Sequence, residues 1–322
     1  MTTPFQLPFD GVQIGHATDA DVITGTTAVV FDQPCPAAIS IMGSSPGTRE
    51  TELLDAQNIV QNIDALVLSG GSAFGLDAAG GTQAWLAEQG RGIFLDPVRI
   101  PIVPCAILFD MRNHGDKNWG QFSPYRNLGY HAASNAAGAG RTLQLGKVGA
   151  AFGAATANTP GGFGAATAQF AGGHVTALVA VNAVGSPMIG DTEHFWAAPF
   201  EENAEFGGLG MPVPWPADAA QPRLKSGQRV AGQNTTLGVV LTDFALQPAD
   251  LKRLATHSHD GFARALYPVH TTADGDLIFS ASVGDRVLPD TAQLELGIVA
   301  GNCMARAIAT GVFAAQQQES KR

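Results

Sequence analysis

Gln233-Asn-Thr-Thr-Leu-Gly-Val-Val-Leu241 joins two kinds of chain. Upstream, Pro212–Gln233 carries four prolines, three basic residues and several small polar ones, and reads as an exposed, mobile loop. Downstream, Asn234–Leu241 turns apolar and reads as a buried strand. A loop that delivers a hydroxyl residue to the head of a core strand is the arrangement an internal cleavage needs.

Working outward, Leu237–Phe244 and Leu277–Val283 read as strands, and Lys147–Val184 as a second strand-rich stretch. Their glycine- and alanine-rich faces suit sheets pressed closely against other layers. Towards the N-terminus, Gly11–His16, Gly25–Phe31 and Ala37–Met42 read as separate short strands. Thr48–Asn62, acidic early and apolar at helical spacing, predicts a helix. Ala65–Leu68 reads as a buried strand running into Ser69-Gly-Gly-Ser-Ala-Phe-Gly75, which opens a helix to about Glu88. Thr291–Gln317 predicts a long alanine-rich helix. Strand groups alternate with helix groups without a steady βαβ rhythm, which favours an α+β protein of stacked layers over a doubly wound sheet.

Composition narrows the function. The chain has 322 residues, 45% of them hydrophobic and 14% charged, so it can bury a substantial core in one large domain or two. A formal net charge of −10 and the lack of a basic stripe argue against a nucleic-acid partner. Apolar runs such as Val175–Val181 fall short of the roughly 18–20 residues that span a bilayer, and no secretion signal opens the chain. The expectation is a soluble, cytoplasmic protein with no membrane partner. Cys35, Cys105 and Cys303 are widely spaced in apolar or proline-rich settings and read as reduced, packed thiols.

Three motif matches fail on chemistry. Gly43-Ser-Ser-Pro-Gly47 has the spacing of a nucleophile elbow, but the residue after Ser45 is Pro46, which lacks the N–H an oxyanion hole requires. It reads as a turn. Gly140–Lys147 has one residue too many for a phosphate loop and Val148 where Ser or Thr belongs. His257 and His259, two apart on a helix, point in divergent directions and read as surface residues, not metal ligands. No cofactor and no metal are expected.

Asn234-Thr235-Thr236 carries the remaining chemistry, although such a tripeptide taken alone is a weak signal. A threonine hydroxyl held against the preceding carbonyl can convert the peptide to an ester that water then opens. The released α-amine has a pKa near 8 and can serve as base to its own hydroxyl. The chain resembles the DmpA-type aminopeptidase family (L-aminopeptidase/D-esterase), which includes the autoprocessing nylon-oligomer hydrolases. The resemblance spans nearly the whole length. It rests on Gly11-Val-Gln-Ile-Gly-His16, Gly47-Thr-Arg-Glu-Thr51, Leu68-Ser-Gly-Gly-Ser-Ala-Phe-Gly-Leu-Asp77, Pro101-Ile-Val-Pro104, Gly115-Asp-Lys-Asn-Trp119, Gly138-Ala-Gly140, Gly146-Lys147, Val181-Asn182, Gly232-Gln-Asn-Thr-Thr236 and Asp274-Gly-Asp276.

The resemblance implies a single domain over residues 1–322, folded as a four-layer αββα sandwich like N-terminal-nucleophile hydrolases but with different connectivity. It implies self-cleavage between Asn234 and Thr235 into an α chain (1–234) and a β chain (235–322), and a homo-oligomer, commonly a tetramer. Thr235 would be the nucleophile, Lys147 and Asn182 would line the site, and Asp274 with Asp276 would stand near the new terminus. Read from the residues, Lys147 either orients the hydroxyl or snorkels from a strand end. Asn182 is either an oxyanion donor or a satisfied sheet-end amide. Asp274-Gly-Asp276 is either a hairpin turn or an extended pair of same-facing carboxylates. Gly70 and Gly71 either offer N–H groups to a substrate oxygen or allow close strand–helix packing.

Phe109 stands where relatives often carry tyrosine, which places it at the substrate without a phenol. The Thr and Asp-Gly-Asp pattern sits closer to the nylon-oligomer branch than to the serine aminopeptidases. The leading expectation is hydrolysis of short peptides or linear ω-amino-acid oligomers through an acyl-Thr235 intermediate. L-aminopeptidase or D-amidase-esterase action on aminoacyl amides, acyl transfer from the same nucleophile, and an uncut binding protein remain as alternatives.

Overall fold

The computed structural model describes residues 3–225 and 234–321. In chain order the strands and helices are β1 (Thr3–Gln6), β2 (Val12–Asp19), β3 (Thr24–Ile41), β4 (Thr48–Arg49), β5 (Asn62–Ser69), α1 (Ala78–Glu88), β6 (Ile93–Leu95), β7 (Val98–Ile100) and β8 (Cys105–Ile107). There follow α2 (Tyr125–Ala139), β9 (Thr142–Leu145), β10 (Gly162–Phe170), β11 (Gly173–Val181), β12 (Leu237–Phe244), α3 (Pro248–Ala265), β13 (Leu277–Arg286) and α4 (Gln293–Glu319).

Two sheets lie face to face and share β3. Its first half pairs with β2 and β5, and β5 continues in parallel to β8, with β4 at that edge. Its second half pairs antiparallel with β13, which runs parallel to β12; β11 and β10 complete the second sheet. Strand alternation sorts the side chains into layers. Leu66 and Leu68 of the first sheet meet Leu178, Leu237, Val239 and Phe279 of the second in the central core. The outer face of the first sheet packs on α1 and α2 through Val67, Ala79, Ala132 and Ala136. The outer face of the second sheet packs on α3 and α4 through Val179, Val240, Leu254 and Ile308. The architecture is the expected αββα sandwich.

Small residues set the layer spacing. At Gly164 of β10, a methyl group would come within 1.8 Å of the Ala307 carbonyl on α4, so helix and sheet touch backbone to backbone. α4 has the length and apolar composition to cross a membrane, but 78% of its most apolar stretch is buried inside the protein, as befits a core helix.

Two expectations change. Gly25–Phe31 and Ala37–Met42 belong to one strand, β3, whose register on β5 shifts between Val30 and Cys35 where Asp32, Gln33 and Pro34 bulge into solvent. The helix expected over Thr48–Asn62 is absent: the stretch holds β4, a 3-10 turn at Glu52–Leu54, and turns. Only Leu54 of its apolar residues is buried, Ile59 is fully exposed, and Asp55 draws the Gln57 N–H into a local turn at 3.0 Å. Without a stripe to bury and with a side chain competing for the backbone, the helix has nothing to hold it. The three cysteines are free and buried, and burial pushes Cys105 and Cys303 up to about 12, which fits packing residues.

Candidate active site

The Asn234–Thr235 peptide bond lies inside the second sheet, just before β12. Asn234 pairs in parallel with Asp274, and the Leu277 N–H donates to the Thr236 carbonyl at 3.2 Å, so the β12–β13 ladder extends past the strand ends. On the other side the Thr235 N–H donates to the Asn182 carbonyl at 3.0 Å, which extends the β11–β12 ladder. Asn234, Thr235 and Thr236 are all buried. A peptide gripped from both sides has little freedom to turn away.

Within that grip the Thr235 hydroxyl donates to the Asn234 carbonyl oxygen at 2.5 Å, and the same oxygen accepts the Gly275 N–H at 2.8 Å. The hydroxyl therefore sits against the carbonyl it would attack, and a fixed donor already points at the oxygen that would become negative. Gly275 is required by space: a methyl group there would lie 2.6 Å from the Thr235 hydroxyl and 2.5 Å from the Ser45 carbonyl.

The Asp-Gly-Asp stretch is extended, not a hairpin turn. Asp276 accepts the Thr236 N–H at 2.8 Å through one oxygen, and His270 donates to the other from its Nδ1 at 2.9 Å and its N–H at 3.2 Å. Asp274 accepts the Val184 N–H at 3.2 Å through Oδ1, and through Oδ2 the Thr271 N–H at 3.0 Å and hydroxyl at 2.7 Å. Burial, then the neighbouring Asp276 charge, raises Asp274 to about 6, against the pull of these donors. Gly43-Ser-Ser-Pro-Gly47 proves to be the bed for this stretch, since the Ser45 N–H donates to the Asp274 carbonyl at 3.0 Å.

Asn182 is a sheet-end amide whose carbonyl also holds the Thr235 N–H. Its Nδ2 donates to the Phe109 carbonyl at 2.9 Å, which ties the end of β11 to the loop after β8 on the other sheet. Phe109 thus contributes through its backbone. Gly70 and Gly71 lie near, but their N–H groups are committed internally: Gly70 donates to the Gly25 carbonyl at 2.9 Å and Gly71 to Asp110 Oδ1 at 2.7 Å. The close-packing reading of the two glycines holds, and the expectation that they offer donors to a substrate does not. Asp110 also accepts the Thr24 hydroxyl at 2.6 Å, and burial raises its pKa.

Lys147 is not brought to this cluster. Its ammonium pairs with Glu319 at 2.6 Å near the end of α4, and its N–H donates to Gln318 at 2.7 Å. Among the described residues, the cation that reaches the site is Lys225, which donates to Asn182 Oδ1 at 2.9 Å and approaches Asn234 Oδ1 at 3.4 Å. His259 is also misread from sequence: it is buried, bonded through Nε2 to the Ser40 carbonyl at 3.1 Å, and its ring lies 4.8 Å from that of His270. Burial lowers it to about 4. His257 is exposed, as expected. No group of three or more metal-ligating side chains occurs among the described residues. Gly232 and Gln233, cited in the family resemblance, lie outside the described residues, as does the 226–233 part of the loop expected before the cut.

Comparison with known proteins bears on the fold first. The fold matches the L-aminopeptidase D-Ala-esterase/amidase of Ochrobactrum anthropi, described as a variant of the Ntn hydrolase fold, with a TM-score of 0.64 and 18% identity over 95% of this chain and 85% of that one. The likeness shows a fold of that variant type. The chain belongs to peptidase family S58, which matches residues 9–322. It is 36% identical to an uncharacterised aminopeptidase of Mycobacterium tuberculosis, over 95% of this chain and 92% of that protein. It is 25% identical to the 6-aminohexanoate-oligomer endohydrolase of a Kocuria species, over 92% of this chain and 80% of that protein.

Proposed function

We propose that the chain is an autoprocessing amide hydrolase that cuts itself between Asn234 and Thr235 and then uses Thr235 as an N-terminal nucleophile. The observation that carries this reading is the Thr235 hydroxyl at 2.5 Å from the Asn234 carbonyl oxygen, with the Gly275 N–H on that same oxygen. In the first step Thr235 Oγ bonds to the Asn234 carbonyl carbon, and the Gly275 N–H takes up the charge on the oxygen. The C–N bond then breaks and the hydroxyl proton passes to the Thr235 nitrogen. Water opens the resulting ester, leaving a carboxylate on Asn234 and a free amine beside a restored hydroxyl. That amine, with a pKa near 8, is the base for later turnovers, in which a substrate acyl group passes to Thr235 and then to water.

The substrates are short peptides, aminoacyl amides or linear ω-amino-acid oligomers. The relatives at 36% identity carry aminopeptidase names, and the oligomer-hydrolase name appears only among those at 25%, which favours peptides and aminoacyl amides. Intact-mass analysis with N-terminal sequencing tests the reading. Fragments of 234 and 88 residues, the second starting at Thr235, are expected, and Thr235→Ala should stay whole and inactive. Full activity in an unbroken chain would end it.

A further inference from the structure

Lys225 has no part in the steps above, and its placement asks for one. It stands ten positions before Thr235, with its backbone N–H fastened to the Val184 carbonyl at 2.9 Å. The stem is partly exposed while the ammonium turns inward, towards two carboxamides. Turning a lysine inward forfeits hydration, so a chain that needs only solubility leaves it in water. Burial is the largest influence on it and lowers its pKa to about 8, while the facing carboxylates of Asp274 and Asp110 pull the other way.

What the ammonium touches defines its use. Asn182 Oδ1 accepts from it at 2.9 Å, and the main-chain oxygen of the same Asn182 holds the Thr235 N–H. Asn234 Oδ1 stands 3.4 Å away, and the Asn234 Nδ2 is buried with no hydrogen-bond partner among the described residues. The carboxamide next to the bond to be cut therefore meets the ammonium on one side and, among the described residues, no counterpart on the other. One cation thus joins Asn234, on one side of the reacting peptide, to Asn182, whose carbonyl holds the Thr235 N–H.

We propose that Lys225 is a positioning residue for self-cleavage: its ammonium bridges the carboxamides of Asn182 and Asn234 and so keeps the Asn234 carbonyl over the Thr235 hydroxyl. The proposal rests on the self-cleavage reading. It concerns the uncut chain, since the cut turns Asn234 into a chain end. Charge matters as well as shape, because hydrogen bonds from an ammonium are stronger than those from a neutral amine. Deprotonation near pH 8 loosens the bridge, with Asp274 and Asp110 the charged groups that oppose it.

The test follows full-length chain made by cell-free translation, timing conversion of the 322-residue band into its two fragments at pH 7 and pH 9. Lys225→Met should slow the cut by about 10- to 100-fold, the scale of a small misplacement of reacting groups. Lys225→Arg should retain most of the rate at pH 7, and the ratio of wild type to this variant should fall between pH 7 and pH 9. A Met variant as fast as wild type, or Met and Arg variants equally slow with the same pH profile as wild type, overturns the proposal. Should the Met variant not fold, judged by circular dichroism in a Thr235→Ala background, the pH-dependent ratio decides alone. Wild-type chain that never divides removes the self-cleavage reading itself, which is a different failure.

Discussion

Asp110 and the Asp274–Asp276 pair are buried carboxylates in neighbouring parts of the sandwich, linked through Asn182 and the Phe109 carbonyl, yet they hold different things. Asp110 takes the Thr24 hydroxyl and the Gly71 N–H, both fixed parts of the first sheet and its exit loop. Asp276 and Asp274 take the N–H groups of Thr236 and Val184, which frame the close approach of hydroxyl to carbonyl. Burial raises the pKa of both Asp110 and Asp274. A perturbed carboxylate is thus a poor marker of chemistry by itself; the donors it holds separate scaffold from site.

The largest expected effect breaks this pairing most directly. Asp276→Ala should slow self-cleavage about 100-fold or more by releasing the Thr236 N–H. Asp110→Ala should instead cost about 1–3 kcal/mol of stability through its orphaned donors and slow the cut less than about tenfold. Gel time courses and urea melts read the two, and equal effects on the cut would erase the contrast.

A second contrast uses glycines. Gly275→Ala should block the cut, since the methyl group collides with the Thr235 hydroxyl. Gly71→Ala collides with the Tyr125 ring at 2.1 Å and sits at a φ of 87°, so it should cost about 1–3 kcal/mol without halting chemistry. Denaturation of both in a Thr235→Ala background separates folding from reaction.

The third is a matter of pH. The folded Asp274 carboxyl, raised to about 6, keeps its proton where the unfolded one, near 3.9, has lost it. Its contribution to stability is therefore complete below about pH 4 and is lost as pH rises through about 6. Carboxyl-carbon NMR of the uncut Thr235→Ala chain should show a titration near pH 6; a midpoint below about 4.5 would mean that the pair is no more perturbed than an exposed acid. The smallest effect belongs to Lys147→Ala. Its partly exposed pair with Glu319 should cost under about 1 kcal/mol and leave turnover unchanged, and a large loss of rate would return Lys147 to the site.

Much of this was legible from residues. The strands before and after Asn234-Thr235-Thr236, the long C-terminal helix and the layered architecture follow from apolar patterning, and the motifs pointed to Thr235, Asn182, Asp274 and Asp276, which the fold brings together. α2 escaped because beyond Tyr125 and Leu128 its buried face is written in Gly129, Ala132, Ala133 and Ala136, which carry little hydrophobic contrast. Lys225 escaped because its loop looks basic and exposed; only its nearness to the cut hinted at a role. Lys147 was misassigned because a glycine-rich neighbourhood suggests burial, whereas the end of α4 offers it Glu319. His270 reaches Asp276 through a left-handed backbone turn, φ 52°, that no side-chain pattern announces.

The position of β12 between β11 and β13 has a bearing on what division of the chain would do. A break at its head leaves the smaller piece starting in mid-sheet, zipped on one flank to the larger piece and on the other to its own β13. Parting them would require tearing open the middle of the second sheet. Two such products would stay together as one particle, and the severed peptide would alter covalent bookkeeping while the body of the molecule kept its shape.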